Sequence, residues 1–247
     1  MPKHRQYDMT VVRVRDITPN MRRVTLGGEH YGDFPSDSEG CYVKLCFATD
    51  DDSPLMRTYT IRHQRHEAME LDIDFALHGD NGLASAWAMH AQPGETLRIS
   101  APGPAKIPET GSDWYFLAGD MTALPALSVN LEQLPADATG YAVIEVTAPD
   151  DKQMLSAPKG IEIHWVINPD DDSSKSFRET IAGLSWLSGE VYVWAACEFE
   201  SMRALRRYFR QERSVGKREM YISSYWKRGL SEGEHRKVKQ DDARDSV

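Results

Sequence analysis

The stretch WYFLAGDMTALPALSVNLEQL, Trp114 to Leu134, decides the fold. It opens as an apolar run of strand length, turns at Gly119-Asp120, and continues from Thr122 with apolar residues at helical spacing. An apolar run that passes through Gly-Asp directly into a helix is the start of a βα unit. Downstream, YAVIEVTA (141–148) and IEIHWVIN (161–168) read as strands and SFRETIAGLSW (176–186) as a helix. EVYVWAACE (190–198) is a further strand, ESMRALRRYFRQER (200–213) a strongly amphipathic helix, and MYISSYW (220–226) a last strand. Strands alternating with helices predict a parallel sheet in an α/β domain.

Upstream the rhythm changes. YDMTVVRVRDIT (7–18), MRRVTLGG (21–28), CYVKLCFAT (41–49), RTYTIRHQ (57–64), MELDIDFAL (69–77) and ETLRISAPG (95–103) are short β-rich segments separated by Gly, Pro, Asp and Ser. Such spacing predicts an antiparallel barrel or sandwich. One helix interrupts it, LASAWAMHA (83–91), opened by HGDNG and closed by QPG. The change of rhythm falls near Ile107 to Ser112. The expected organisation is therefore an N-terminal antiparallel barrel or sandwich over residues 1–109 and a C-terminal α/β domain over residues 110–247.

Composition narrows the classes. The chain has 247 residues, 40% hydrophobic and 27% charged, with net charge −9. That acidity argues against a duplex-DNA partner, whose phosphates call for Lys and Arg. No apolar run approaches the roughly 18 to 20 residues of a membrane span. MPKHRQYDMT at the start lacks the apolar stretch of a secretion signal. Cys41, Cys46 and Cys197 form no C-x-x-C. Together these features predict a reducing, cytoplasmic setting without a zinc site.

Two segments in the first half carry chemistry. In RTYTIR, strand alternation sets Arg57, Tyr59 and Ile61 on one face and Thr58, Thr60 and Arg62 on the other. A flavin needs an aromatic plane, a hydroxyl near its reactive nitrogen and a cation for its pyrophosphate, and this strand offers all three. A surface-facing barrel strand with solvated arginines accounts for it equally well. In DFALHGDNGLASAWA (74–88), a strand runs through His78 and Gly82 into a helix whose first turn holds Ala84 and Ser85. A helix start next to glycine suits a phosphate. An ordinary capped helix, with Asp80 or Asn81 as the cap, is the competing reading.

These segments resemble the FAD domain of the siderophore-interacting proteins, as does PGETLRISAPGP (93–104). The resemblance continues through WYFLAGDMTALPAL (114–127), VYVWAACEFESMRALRRYFR (191–210) and ISSYWKRG (222–229), in order and at matching spacing. It implies a ferredoxin–NADP reductase-like architecture, a flavin-binding barrel followed by a nicotinamide-binding-like α/β domain. It also implies an FAD-dependent ferric-siderophore reductase, with NADH, NADPH or a ferredoxin as electron donor and an anionic ferric chelate as substrate. The cofactor contacts it implies are Arg57, Tyr59, Thr60, Arg62, Asp74, Ala76, His78, Gly82, Ala84, Ser85, Thr122, Tyr225 and Trp226. No acid–base residue and no protein-bound metal is required, because outer-sphere electron transfer needs neither. The sequence departs from the family in two places: Met121 stands where Glu is usual, and Ala195-Ala196-Cys197 where Gly is common.

The second half lacks a G-x-G-x-x-G, so its nicotinamide role rests on the resemblance. Thr122 is also a candidate helix cap. Glu145 ends a strand, where an acid takes ribose hydroxyls and leans toward NADH, although a surface acid is the commoner explanation. Cys197 reads as core or as a residue facing the flavin. Residues 217–240 hold seven Lys or Arg against three Glu, a basic segment in an acidic protein. Lys227, Arg228 and Arg236 from it, with Lys44 of the barrel strand, are the candidate substrate cations. The last twenty residues are mostly charged or small, which predicts a loose end. Two other functions fit the same features: a flavin-dependent reductase serving a protein acceptor, and a siderophore carrier without turnover.

Overall fold

Six strands close into an antiparallel barrel: β1 (Gln6–Thr18), β2 (Met21–Gly27), β3 (Tyr42–Phe47), β4 (Leu55–Arg65), β5 (Glu70–Ala76) and β6 (Thr96–Ser100), in the order β1-β2-β5-β4-β3-β6. The computed structural model describes residues 5–48, 54–77, 82–169 and 174–245. The chain divides into two units, Met1–Ile107 and Pro108–Val247. Register shifts between Val11 and Arg13 and between Asp16 and Thr18 interrupt the long β1; such irregularities bend a strand so that it can follow a barrel wall. Alternation holds along β5, where Leu71, Ile73 and Phe75 fill the core. Helix α1 (Leu83–His90) packs Ala84 and Ala88 into that core. Its Trp87 meets Phe47 and Phe75 at 5.8 and 5.7 Å. Arg22 donates to the Met89 carbonyl at 2.9 Å, tying the helix to β2.

The acids of β5, Glu70, Asp72 and Asp74, alternate with Leu71, Ile73 and Phe75 and carry an ionic ladder. Arg23 on β2 forks onto Asp74 at 2.6 and 2.7 Å. Arg65 on β4 forks onto Asp72 at 2.7 Å through both terminal nitrogens, and Thr25 donates to the same carboxylate. Arg13 on β1 forks onto Glu70 at 2.9 and 2.6 Å. The ladder binds four strands across one wall, with geometry suited to bidentate guanidinium–carboxylate pairing.

The second unit is a five-stranded parallel sheet in the order β11-β10-β7-β8-β9. Its elements are β7 (Trp114–Gly119), α2 (Leu124–Gln133), β8 (Thr139–Val146), β9 (Gly160–Ile167), α3 (Lys175–Gly183), β10 (Val191–Glu198), α4 (Phe199–Arg207), β11 (Met220–Trp226) and α5 (Glu232–Asp245). Strands β7 and β10 are buried along their whole length. That is why their sequences read as unbroken apolar runs. Gly140 has φ +133°, and any Cβ there would strike the Tyr115 carbonyl, so the approach of β8 to β7 requires glycine.

Two expectations change here. The amphipathic segment 200–213 is α-helical only to Arg207 and continues as a π turn over Tyr208–Glu212. The tail 228–247, expected to be loose at its end, is helical over α5 and folds against β11 and α4, with residues 246–247 outside the described residues. Its composition misled because only Val238 of its inner face is apolar, and the rest of that face is His235, Lys239 and Asp242, held by polar bonds. Among the described residues no helix is long and apolar enough to cross a membrane.

Candidate functional site

In the first unit the candidate residues gather around β4. The Tyr59 ring is half-buried and leans on Phe75 at 4.5 Å with a 37° tilt. Phe75 is backed in turn by Trp87, so a partly exposed aromatic plane rests on a rigid aromatic stack. Thr60 follows at once, half-buried, opposite Tyr42 of β3. Gly103 of the APGP motif receives the Tyr42 ring, since any Cβ there would collide with it. Arg57 is half-buried and donates to the Met56 carbonyl at 3.0 Å. Lys44 lies opposite Thr58 and donates to its hydroxyl at 2.7 Å.

Arg62 departs from the expected pattern. A register shift falls between Ile61 and His63, which interrupts the alternation used to assign Arg62 a face. The side chain is tucked in at 8% exposure, with Nη1 at 3.4 Å from His63 Nδ1. Asp74 is committed as well, since its carboxylate holds the Arg23 fork. Ala76, buried at the end of β5, pairs with Met21 of β2. Ala84 and Ser85 turn their side chains inward, so their offer to a phosphate is backbone N–H. Gly82 is the N-cap of α1 and supplies no side-chain cap. His78, together with Asp80 and Asn81, lies outside the described residues. A half-exposed Tyr ring on a firm backing, a neighbouring hydroxyl, Arg57 and a glycine-led helix start are the parts an FAD requires, and they fit it.

In the second unit the carboxyl ends of three adjacent strands each carry a buried acid: Glu198 on β10, Asp120 after β7 and Glu145 on β8. Asp120 is the hub. Its Oδ1 accepts from the Thr122 amide at 3.0 Å, the Thr122 hydroxyl at 2.6 Å and the Ala123 amide at 3.3 Å. Its Oδ2 accepts from the Glu198 amide at 2.8 Å and the Trp226 indole at 2.7 Å. Burial pushes this carboxyl above its ordinary value, against those donors. Thr122, considered above as a helix cap, is itself a donor to Asp120.

Glu198 caps α4 by accepting from the Glu200 and Ser201 amides at 2.6 and 3.3 Å. Glu145 accepts from the Ser174 hydroxyl at 2.7 Å. It is buried, which overturns its reading as a surface acid. Cys197, 1% exposed among these acids, is core, and burial first and Asp120 next push its thiol well above the usual range. Asp120 was legible as an acid two residues before Thr in a strand-to-helix turn, the pattern of an Asx turn. Its long-range partners had no local signal.

The cations of the second unit are partly engaged. Lys227 pairs with Glu200 at 2.5 Å and lies 4.3 Å from the Phe199 ring centroid. The Arg228 guanidinium lies over the Trp226 ring at 5.5 Å. Arg236 stands exposed on α5. Tyr225 is half-buried beside Tyr221. Lys44 belongs to the first unit and Lys227, Arg228 and Arg236 to the second.

Comparison with known proteins places these features. Residues 10–53 and 48–106 match the siderophore-interacting FAD-binding domain, and residues 112–229 match the siderophore-interacting protein family. An uncharacterised protein of Mycobacterium tuberculosis is 39% identical over 94% of this chain and 93% of its own length. The ferric vibriobactin reductase ViuB of Vibrio cholerae is 32% identical over 90% of this chain and 89% of its own. The crystal structure of the siderophore-interacting protein SipS from Aeromonas hydrophila is 33% identical and superposes with a TM-score of 0.88, covering 98% of this chain and 100% of that one. With family models matching most of its length and relatives above 30% identity over nearly all of it, this chain belongs to the siderophore-interacting protein family, with its FAD-binding domain in the barrel half.

Proposed function

We propose that the chain is an FAD-dependent oxidoreductase that reduces ferric siderophores in the cytoplasm, with a reduced nicotinamide as electron donor. The observation that carries this reading is the β4 constellation: the half-exposed Tyr59 ring backed by Phe75, between Arg57 and Thr60, in a barrel closed by a glycine-led helix. The ferric vibriobactin reductase relative supports the substrate class. In this reading Tyr59 takes one flavin face, Thr60 lies near the reactive nitrogen, and Arg57 with the amides at the start of α1 holds the pyrophosphate. Arg62 braces this strand from its buried position, and Asp74 holds β2 to β5 through Arg23. FAD, when bound, accepts electrons in a pair and passes them on singly. Hard oxygen ligands hold Fe(II) far less tightly than Fe(III), so reduction releases the metal. Lys44 is the first-unit cation proposed to attract the anionic chelate.

The second unit bears on the donor. Helix starts commonly hold phosphates, yet the Thr122 and Ala123 amides leading into α2 and the Glu200 and Ser201 amides in the first turn of α4 are already bonded to the chain's own Asp120 and Glu198. Added negative charge is disfavoured beside three buried acids, which supports NADH over NADPH. The test is anaerobic. Protein loaded with FAD is reduced with NADH or with NADPH, then mixed with a ferric catecholate siderophore while flavin absorbance is followed. Reoxidation of the flavin with stoichiometric Fe(II) trapping is expected, and a flavin that stays reduced rejects the assignment. Failure of both nucleotides, with reoxidation intact after chemical reduction, points to a ferredoxin as donor.

A further inference from the structure

Helix α5 is docked by an unusual face. The side chains turned toward β11 and α4 are His235, Val238, Lys239 and Asp242, at spacings of three, one and three residues, which is a single helical face. His235 is 5% exposed, and its Nε2 lies 2.8 Å from the Ser224 hydroxyl on β11. One turn on, Lys239 donates to the Ser223 hydroxyl at 2.7 Å and to the Ser224 carbonyl at 2.8 Å. A further turn on, Asp242 takes the Arg206 fork from α4 at 2.8 and 2.9 Å. Only Val238 adds apolar contact with the unit's core. A helix held by apolar burial stays docked over a wide pH range. One held by a buried imidazole beside a buried ammonium does not.

We propose that α5 is an acid-released latch on the edge strand β11, with the Ser224–His235 pair as its trigger. The groups facing the imidazole are Lys239 and Glu232 of its own helix, Glu198 at the end of β10, Lys227 just after β11, and the Phe199 ring of α4 at 6.3 Å. Burial first, and the Lys239 ammonium second, hold His235 below its ordinary value, while Glu232 and Glu198 work the other way. The Ser224 hydroxyl can turn to accept from a protonated ring, so the hydrogen bond itself survives. What opens the latch is a second positive charge in a buried space one helical turn from Lys239. The undocked helix, with His235 in water, takes that proton more readily, so docking weakens as pH falls below about 6.5. Asp242 stays ionised in this window, because the Arg206 hydrogen bond holds its carboxyl below the usual range. Release would uncover Ser223 and Ser224, the residues of β11 that lead to Tyr225 and Trp226.

The experiment is hydrogen exchange of the full-length protein from pH 7.5 to 5.0, corrected for intrinsic exchange chemistry. Protection of the α5 amides, Val238 to Asp242, is expected to fall by up to about tenfold per pH unit below about pH 6.5, the limit for one proton. His235→Gln keeps a hydrogen-bonding partner for Ser224 and should show no such fall, whatever its absolute protection. Flat protection in the unsubstituted protein overturns the proposal, as does an equal fall in His235→Gln. If that variant does not fold, the His235 ring is titrated by NMR in the unsubstituted protein. A ring midpoint below about 6.5, with α5 protection lost between about 6.5 and that midpoint, supports the latch, and a ring midpoint at or above about 6.5 overturns it.

Discussion

The Trp226 indole N–H donates to Asp120 Oδ2 at 2.7 Å across a separation of 106 residues. The same oxygen accepts the Glu198 amide, so one carboxylate joins the carboxyl ends of β7, β10 and β11. All five of its contacts are with donors. Replacement by Asn turns one acceptor position into a donor that faces other donors. Asp120→Asn is expected to cost about 2–3 kcal/mol, because buried donors lose their acceptor. Trp226→Phe removes a single hydrogen bond and is expected to cost about 1 kcal/mol from that loss. Urea unfolding of both variants checks the ranking, and equal losses would show that Asp120 is not the hub.

The ionic ladder of the barrel predicts acid sensitivity. Burial works to raise the Asp72 carboxyl, but the Arg65 fork and the Thr25 hydroxyl overcome it and hold it below the usual range. Glu70 is held low by the Arg13 fork first. Both groups have folded values below their unfolded ones. Their stabilisation is therefore present above the unfolded carboxylate range, about pH 4, and is lost as pH falls through the folded values. Asp72→Asn is expected to cost about 2 kcal/mol at pH 7, because the Arg65 fork and the Thr25 hydroxyl lose their charged acceptor while Arg23 keeps Asp74 and Arg65 keeps Glu70. The gap from the unsubstituted protein should narrow between pH 5 and pH 3 in urea titrations.

Cofactor retention separates the roles of the β4 residues. Tyr59→Ala should weaken FAD binding by at least about tenfold, or about 1.4 kcal/mol, while Tyr59→Phe keeps the plane and retains FAD. Arg57→Ala should lose FAD with little change in melting temperature. Arg62→Ala should lower the melting temperature as well, because Arg62 is buried beside His63. Dialysis followed by flavin absorbance, together with thermal unfolding, distinguishes the three. Full flavin occupancy in Tyr59→Ala would remove Tyr59 from the site.

Substrate attraction by Lys44 predicts a salt effect. Screening shortens electrostatic reach to about 10 Å at 0.1 M salt. Lys44→Gln should raise KM for a trianionic ferric chelate several-fold at low salt and leave a neutral chelate unaffected. Lys227→Gln should do less, because Glu200 already neutralises that ammonium. Steady-state rates with both chelates at two salt concentrations decide it. Equal effects on the two chelates would show that Lys44 does not act through charge.

The sequence by itself determined the order of elements and the chemistry they carry. Period-two alternation in β5 and unbroken apolar runs in β7 and β10 are local signals, and each reports which faces of a strand are buried. The RTYTIR strand and the glycine-led start of α1 were legible for the same reason, since their residues are neighbours in the chain. What tertiary structure decided is non-local. Asp120 meets Glu198 and Trp226 only because parallel strands end side by side. Arg62 is buried where β4 and β5 slip out of register between Ile61 and His63. The charged tail became α5 because Ser224, Ser223 and Arg206 offer partners for His235, Lys239 and Asp242, and no property of residues 232–245 alone contains that information.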